Sequence, residues 1–166
     1  MFNNSDNVRI NLLEVEDAAP LAGALFTRSF NDTIPDFPKH FVLVARADEG
    51  QSLTLGYVHF TQHHNLYLGG GMCVNTRVLR HLPKQHRRQL NQQGGVAFTM
   101  LSEAVKSLTD CAAVFGYVGH KGAYKIDLAV GFEQTQHPHL IVYWQQQLSL
   151  NKQQEMIQTA YDFGPF

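Results

Sequence analysis

Six consecutive residues of this 166-residue chain, Gln92, Gln93, Gly94, Gly95, Val96 and Ala97, bring two glycines to the point where an amphipathic pattern begins. The first turn of a helix carries amides with no acceptor inside the helix, and it sits at the positive end of the aligned peptide dipoles. With no side chain in the way a phosphate can approach those amides directly, so the segment reads as an anion cradle rather than a plain turn. His120, Tyr124 and Asp127 recur at three- and four-residue spacing, which puts them on one helical face where a phenol or an imidazole could move a proton. Cys73 has no base near it in sequence, and a small buried thiol is its expected state. Nine histidines are present, among them the pair His63 and His64, and His137 and His139, which a strand would place on one face as two metal ligands. No third ligand stands at motif spacing, so no metal site is expected. Arg77, Arg80, Lys84, Arg87 and Arg88 form a basic run that reads as a solvated helix face, and no aromatic residues interleave with it as RNA stacking would require. Asp32 and Asp36 could attract an ammonium, though turns also use aspartate.

The elements that must position these residues follow from periodicity. "NVRINLLEV" alternates as a half-buried strand does, "DAAPLAGALFTRSF" turns helical with Asp17 as cap and Pro20 in its first turn, and "NDTIPDFPKH" is a loop. "FVLVARA" and "SLTLGYVHF" read as an antiparallel hairpin joined by "DEGQ". "NLYLGGGMCV" is a further strand, in which three glycines point to a bulge or a close backbone approach. A basic helical insert, broken at Pro83, occupies about residues 75–91, and from Ala97 the positions Met100, Leu101, Ala104, Val105 and Leu108 make one helix face. "AAVFGYV" is a buried strand, "KGAYKIDLAV" a helix stopped by Gly131, and "HPHLIVYWQ" a strand. A C-terminal helix over about residues 150–162 has Met156, Ile157, Ala160 and Tyr161 on its apolar side. The alternation predicts a single α/β (α+β) domain over residues 1–166, with one mixed, mostly antiparallel sheet flanked by helices.

Composition narrows the function. A hydrophobic content of 44% supports one core and hardly two. Thirteen basic and 14 acidic residues nearly cancel, so nothing global draws the chain to nucleic acid or to an anionic membrane. Two cysteines are too few for a disulfide framework, and "MFNNSDNVRI" lacks the basic-then-apolar order of a secretion leader. No apolar run approaches the roughly 20 residues needed to span a bilayer. The expectation is a cytoplasmic protein with neither a nucleic-acid nor a membrane partner.

The spacing Gln92-x-x-Gly95-x-Ala97, ahead of a long helix, resembles the acetyl-CoA loop of the GNAT superfamily of N-acyltransferases, whose pattern is Gln or Arg, two residues, Gly, one residue, then Gly or Ala. The segment "GHKGAYKIDLAVGF" is similar to the family's fourth helix, where a small residue precedes a helix that ends in Gly-Phe; Ala123, Gly131 and Phe132 match. In the order of its elements the resemblance covers residues 8–144. It implies acetyl-CoA as co-substrate and no metal. It also implies that the main chain of Met72, Cys73 and Val74 pairs with the pantetheine arm, that Gln92 opens the loop, and that the main chain from Gln93 to Ala97 holds the pyrophosphate. An amine would attack the thioester directly while an amide near Met72 polarises its carbonyl. The chain departs from the pattern twice: residues 75–91 intervene where a strand usually leads almost directly into the loop, and Asp127 stands where the family has a tyrosine that protonates the leaving thiolate. Tyr124, one turn earlier, is the substitute acid, while His59, His64 or ordered water are open as base. The resemblance therefore implies an acetyl-CoA-dependent N-acetyltransferase acting on a small-molecule or peptide amine, compatible with a homodimer. The basic run would then touch the ribose phosphate of CoA. The alternatives are a non-catalytic domain of this kind that binds acyl-CoA or senses another ligand, and an enzyme that transfers a longer acyl chain.

Overall fold

The computed structural model describes Phe2, residues 7–48 and residues 50–166. The expected alternation forms β1 (Val8–Val15), which leads into α1 (Ala19–Phe30). Asp17 Oδ1 accepts the Ala19 amide at 2.9 Å and Pro20 fills the first turn; the helix ends at Asn31, in the left-handed region. β2 (Lys39–Ala47) returns antiparallel to β1, from Val8 opposite Ala47 to Val15 opposite His40. β3 (Ser52–His63) lies beside β2 across a turn in which the Ala47 amide donates to Gln51 O at 2.9 Å. Glu49 of the expected "DEGQ" turn lies outside the described residues, as do Met1 and residues 3–6 of the stretch read for a leader. β4 (Leu66–Val74) carries the three glycines inside one strand.

The basic insert is broken at Pro83, as expected, into α2 (Thr76–Leu79) and α3 (Lys84–Gln92), because Pro83 cannot donate to a preceding turn and instead caps the second. α4 (Gly95–Ser107) follows, then β5 (Ala113–Tyr117), α5 (Lys121–Val130), β6 (Glu133–Gln134), β7 (Leu140–Trp144) and α6 (Leu150–Phe163). The strands make one open, mixed, seven-stranded sheet in the order β1-β2-β3-β4-β5-β7-β6, flanked by helices. β4 and β5 are parallel; β5 with β7, and β7 with β6, are antiparallel. Among the described residues no helix is long and apolar enough to cross a membrane.

The chain forms two compact units, Met1–His59 with Gly71–Ala104, and Phe60–Gly70 with Val105–Phe166. In the first, Ala22, Leu25 and Phe26 of α1 pack on Val42, Val44, Tyr57 and Cys73. The close approach expected of the glycine run is present there: a Cβ on Gly71 would stand 2.9 Å from the Phe26 ring. In the second unit Leu68, Phe115, Leu140 and Val142 meet Met156, Ile157 and Ala160 of α6. Tyr161 departs from its expected apolar role; its ring is exposed and stacks on His137 at 3.7 Å. The strand expected from "HPHLIVYWQ" begins only at Leu140, so His137 and His139 lie in the turn before it rather than on one strand face, and His139 adopts a φ of 69°.

Candidate active site

Gly94 and Gly95 have φ of 98° and 88°, values that other L-residues rarely adopt, and they differ in what surrounds them. A Cβ on Gly94 would stand 2.8 Å from the Phe98 ring, so packing alone requires glycine there. A Cβ on Gly95 would meet nothing within 4 Å. Gly95 therefore keeps open the space in front of the first turn of α4, whose amides have no acceptor within the helix. Gln92 and Gln93 are exposed ahead of it, the Val96 side chain is buried, and Ala97 is half-buried. The basic face of α3 runs up to this point, with open grooves of about 450 and 660 Å³ along it that share Lys84, Arg88 and Gln92.

On β4, Met72 and Val74 are partly exposed and Cys73 is buried. Burial pushes the Cys73 thiol up, against the opposing influence of the Ser29 hydroxyl and Arg28, so it stays protonated.

Beside this strand is a buried chain of polar groups that sequence reasoning saw only at one end. His40 Nδ1 lies 2.8 Å from Tyr57 Oη, Tyr57 Oη lies 3.2 Å from His59 Nδ1, and the Gly71 amide donates to His59 Nε2 at 3.3 Å. Donor and acceptor rules fix the protons. Because Nε2 of His59 accepts, its Nδ1 carries the hydrogen and donates to Tyr57, whose hydroxyl must in turn donate to His40 Nδ1. Desolvation by burial, then the neighbouring His40, lowers the His59 pKa to about 4. Burial lowers that of His40 too, opposed by Asp17, and pushes the Tyr57 phenol upward. All three side chains are therefore neutral near pH 7. Tyr57 and His59 are two residues apart on β3, a visible sign of a shared strand face; the partnership with His40 needs the neighbouring strand and had no sequence signal.

Solved structures resemble this fold, although no protein-family model and no curated protein matches the sequence. The ribosomal-protein-S18-alanine N-acetyltransferase from Escherichia coli aligns over 86% of this chain and 98% of its own, with a TM-score of 0.54 and 9% identity. YhhK from E. coli, solved with coenzyme A bound, aligns over 82% of this chain and 98% of its own, with a TM-score of 0.53 and 14% identity. The fold is GNAT-like.

Within this GNAT-like fold, Met72, Cys73 and Val74 and the loop from Gln92 to Ala97 belong to the first compact unit, and Tyr124 to the second. Tyr124 is half-buried. His120 has a structural task, its Nδ1 accepting the Gly122 and Ala123 amides at 3.2 and 3.3 Å as the cap of α5. Gly131 ends that helix at φ 118°, with its amide on Asp127 O and Leu128 O. Asp127 is 5% exposed, and among the described residues its carboxyl has no hydrogen-bond or ionic partner. Burial alone raises its pKa to about 6. His64, another base considered from sequence, sits in a turn at φ 53° with its ring against His63. Among the described residues no three His, Cys, Asp or Glu side chains group as metal ligands.

Proposed function

We propose that the chain is an N-acyltransferase that moves acetyl from acetyl-CoA to a primary amine of a small molecule or peptide. One observation carries this reading: Gly95, left-handed and with open space where a Cβ would stand, opens α4 and leaves its first amides bare. YhhK, of the same fold, was solved with coenzyme A bound, which supports the ligand. In this reading the main chain of Gln93 to Ala97 holds the pyrophosphate and that of Met72 to Val74 lines the pantetheine arm. A neutral amine adds to the thioester carbonyl, an amide near Met72 stabilises the developing oxyanion, and the carbon–sulfur bond breaks as the thiolate takes a proton from Tyr124. Asp127, where the resembled family has tyrosine, favours one other reading, a domain that binds acyl-CoA without turnover.

Binding and turnover assays test the two together. Acetyl-CoA at a hundredfold excess over its Kd should stabilise the protein by about 2.7 kcal/mol, seen as a rise in Tm. Gly95→Asp, checked for folding by circular dichroism, should abolish that rise by setting a carboxylate against the pyrophosphate. No rise with millimolar acetyl-CoA, or full binding by the variant, would remove the loop from the site. Binding without acetylation of any amine selects the non-catalytic reading.

A further inference from the structure

We propose that His40, Tyr57 and His59 form a proton relay that removes the acceptor amine's proton, taking it in at His59 Nε2 and leaving the charge on His40. The inference rests on the acyl-transfer reading above and adds the base that reading lacks.

The three groups form a hydrogen-bonded line in which every donor points the same way, from Gly71 through His59 and Tyr57 to His40. Such a line moves charge without moving atoms far. As the amine nitrogen bonds to the acetyl carbon, its N–H bond breaks, the electron pair stays on nitrogen, and the proton bonds to His59 Nε2. The Nδ1 proton of His59 passes to Tyr57 Oη, and the Tyr57 proton passes to His40 Nδ1. His59 ends neutral in its other tautomer, Tyr57 ends neutral, and one positive charge rests on His40.

Two features suit the line to this task. His59 is too weak a base to hold a proton itself, since burial and the neighbouring His40 both oppose its charge, whereas the Asp17 carboxylate favours charge on His40. At the entry atom the resting partner is a backbone amide at 3.3 Å, a long bond that a better donor can displace. Gly71 has no side chain of its own, the Phe26 and Phe30 rings stand against its Cα, and Gly70, Gly71 and Met72 are partly exposed along β4. Among the described residues, the remaining titratable group against the line is Cys73, itself influenced by Ser29 and Arg28 of α1.

The test compares wild type, Tyr57→Phe and His40→Gln in acetyl-CoA turnover against a set of primary amines, followed by CoA release across pH and in mixtures of H2O and D2O. Tyr57→Phe cuts the line at its centre and should lower kcat/KM for the amine about 100-fold, within the range of general-base contributions, without altering the Kd of acetyl-CoA. The dependence of rate on deuterium fraction should change from curved, with several protons in flight, to linear. His40→Gln still accepts from Tyr57 but cannot carry a proton, and should give the same loss. A packing role for Tyr57 would lower Tm and leave the isotope curve unchanged. Wild-type rates and curves in both variants overturn the relay and leave acyl transfer standing. If acetyl-CoA binds and no amine is acetylated, or if it does not bind, the acyl-transfer reading falls and the relay with it. Should the variants fail to fold, the 15N shifts of the wild-type imidazoles decide: His59 must carry its proton on Nδ1, and a proton on Nε2 overturns the relay.

Discussion

A carboxyl taken out of water with no donor beside it holds its proton to higher pH, and Asp127 is in that position on α5. Tyr124 precedes it by three residues, which leaves a phenol and a carboxyl on one helical face as rival proton donors. The phenol is proposed as the acid, so Tyr124→Phe should lower turnover about 100-fold and hardly change acetyl-CoA affinity, with Asp127→Asn costing much less. Single-turnover rates, in which chemistry is separated from product release, provide the check; the reverse order of effects would assign the proton to the carboxyl. The sequence showed that these residues share a face but not which of them is buried, because burial depends on what packs against the helix.

At the scale of elements, alternation and helical spacing located the longer strands and helices down to a few residues, since these patterns record which face meets the core; the two-residue β6 is too short to show a pattern. Gly131 was legible as a helix stop because a left-handed residue is needed there. The turn at His137 to His139 was not, since a histidine at φ 69° is uncommon and nothing in "HPH" announces it. The relay was legible only at His59, because its other members depend on strand neighbours and on the helix lying over them. The loop residues from Gln92 to Ala97 were legible as a motif; that Gly95, rather than Gly94, is free of packing duty was not. Gly71 of β4 has a contrasting task. Gly71→Ala places a methyl 2.9 Å from Phe26 and 3.1 Å from Phe30, and Phe26 is held in turn against Tyr57 and His59. Urea unfolding should show a loss of roughly 1–3 kcal/mol, the range for overpacking a well-filled site.

For the whole molecule, His59 and Asp127 make opposing contributions to stability as pH changes. His59 titrates near 6.5 when unfolded and near 4 when folded, so between those values the unfolded chain binds more protons and stability rises with pH. Asp127 titrates near 3.8 unfolded and near 6 folded; there the native state binds more protons, and stability falls as pH rises. Each shift corresponds to roughly 3 kcal/mol, and the windows nearly coincide, so the two slopes largely cancel. Asp127→Asn should expose the histidine slope, to which His40, also lowered by burial, adds in the same direction: a variant more stable than wild type at neutral pH that loses roughly 3 kcal/mol through His59 on acidification. Denaturant midpoints measured in steps across that window will show whether the slope emerges.

β6 is two residues long and covers β7 only at Ile141 and Val142. Just beyond, the Thr135 amide and hydroxyl both donate to Leu140 O, at 3.3 and 2.9 Å, and occupy the next carbonyl. An incoming strand from another molecule would find only Tyr143 and Trp144 of β7 beyond these positions, too short a template for a ladder. This margin of the sheet is thereby protected against fibrillar growth by an element almost too small to count as a strand.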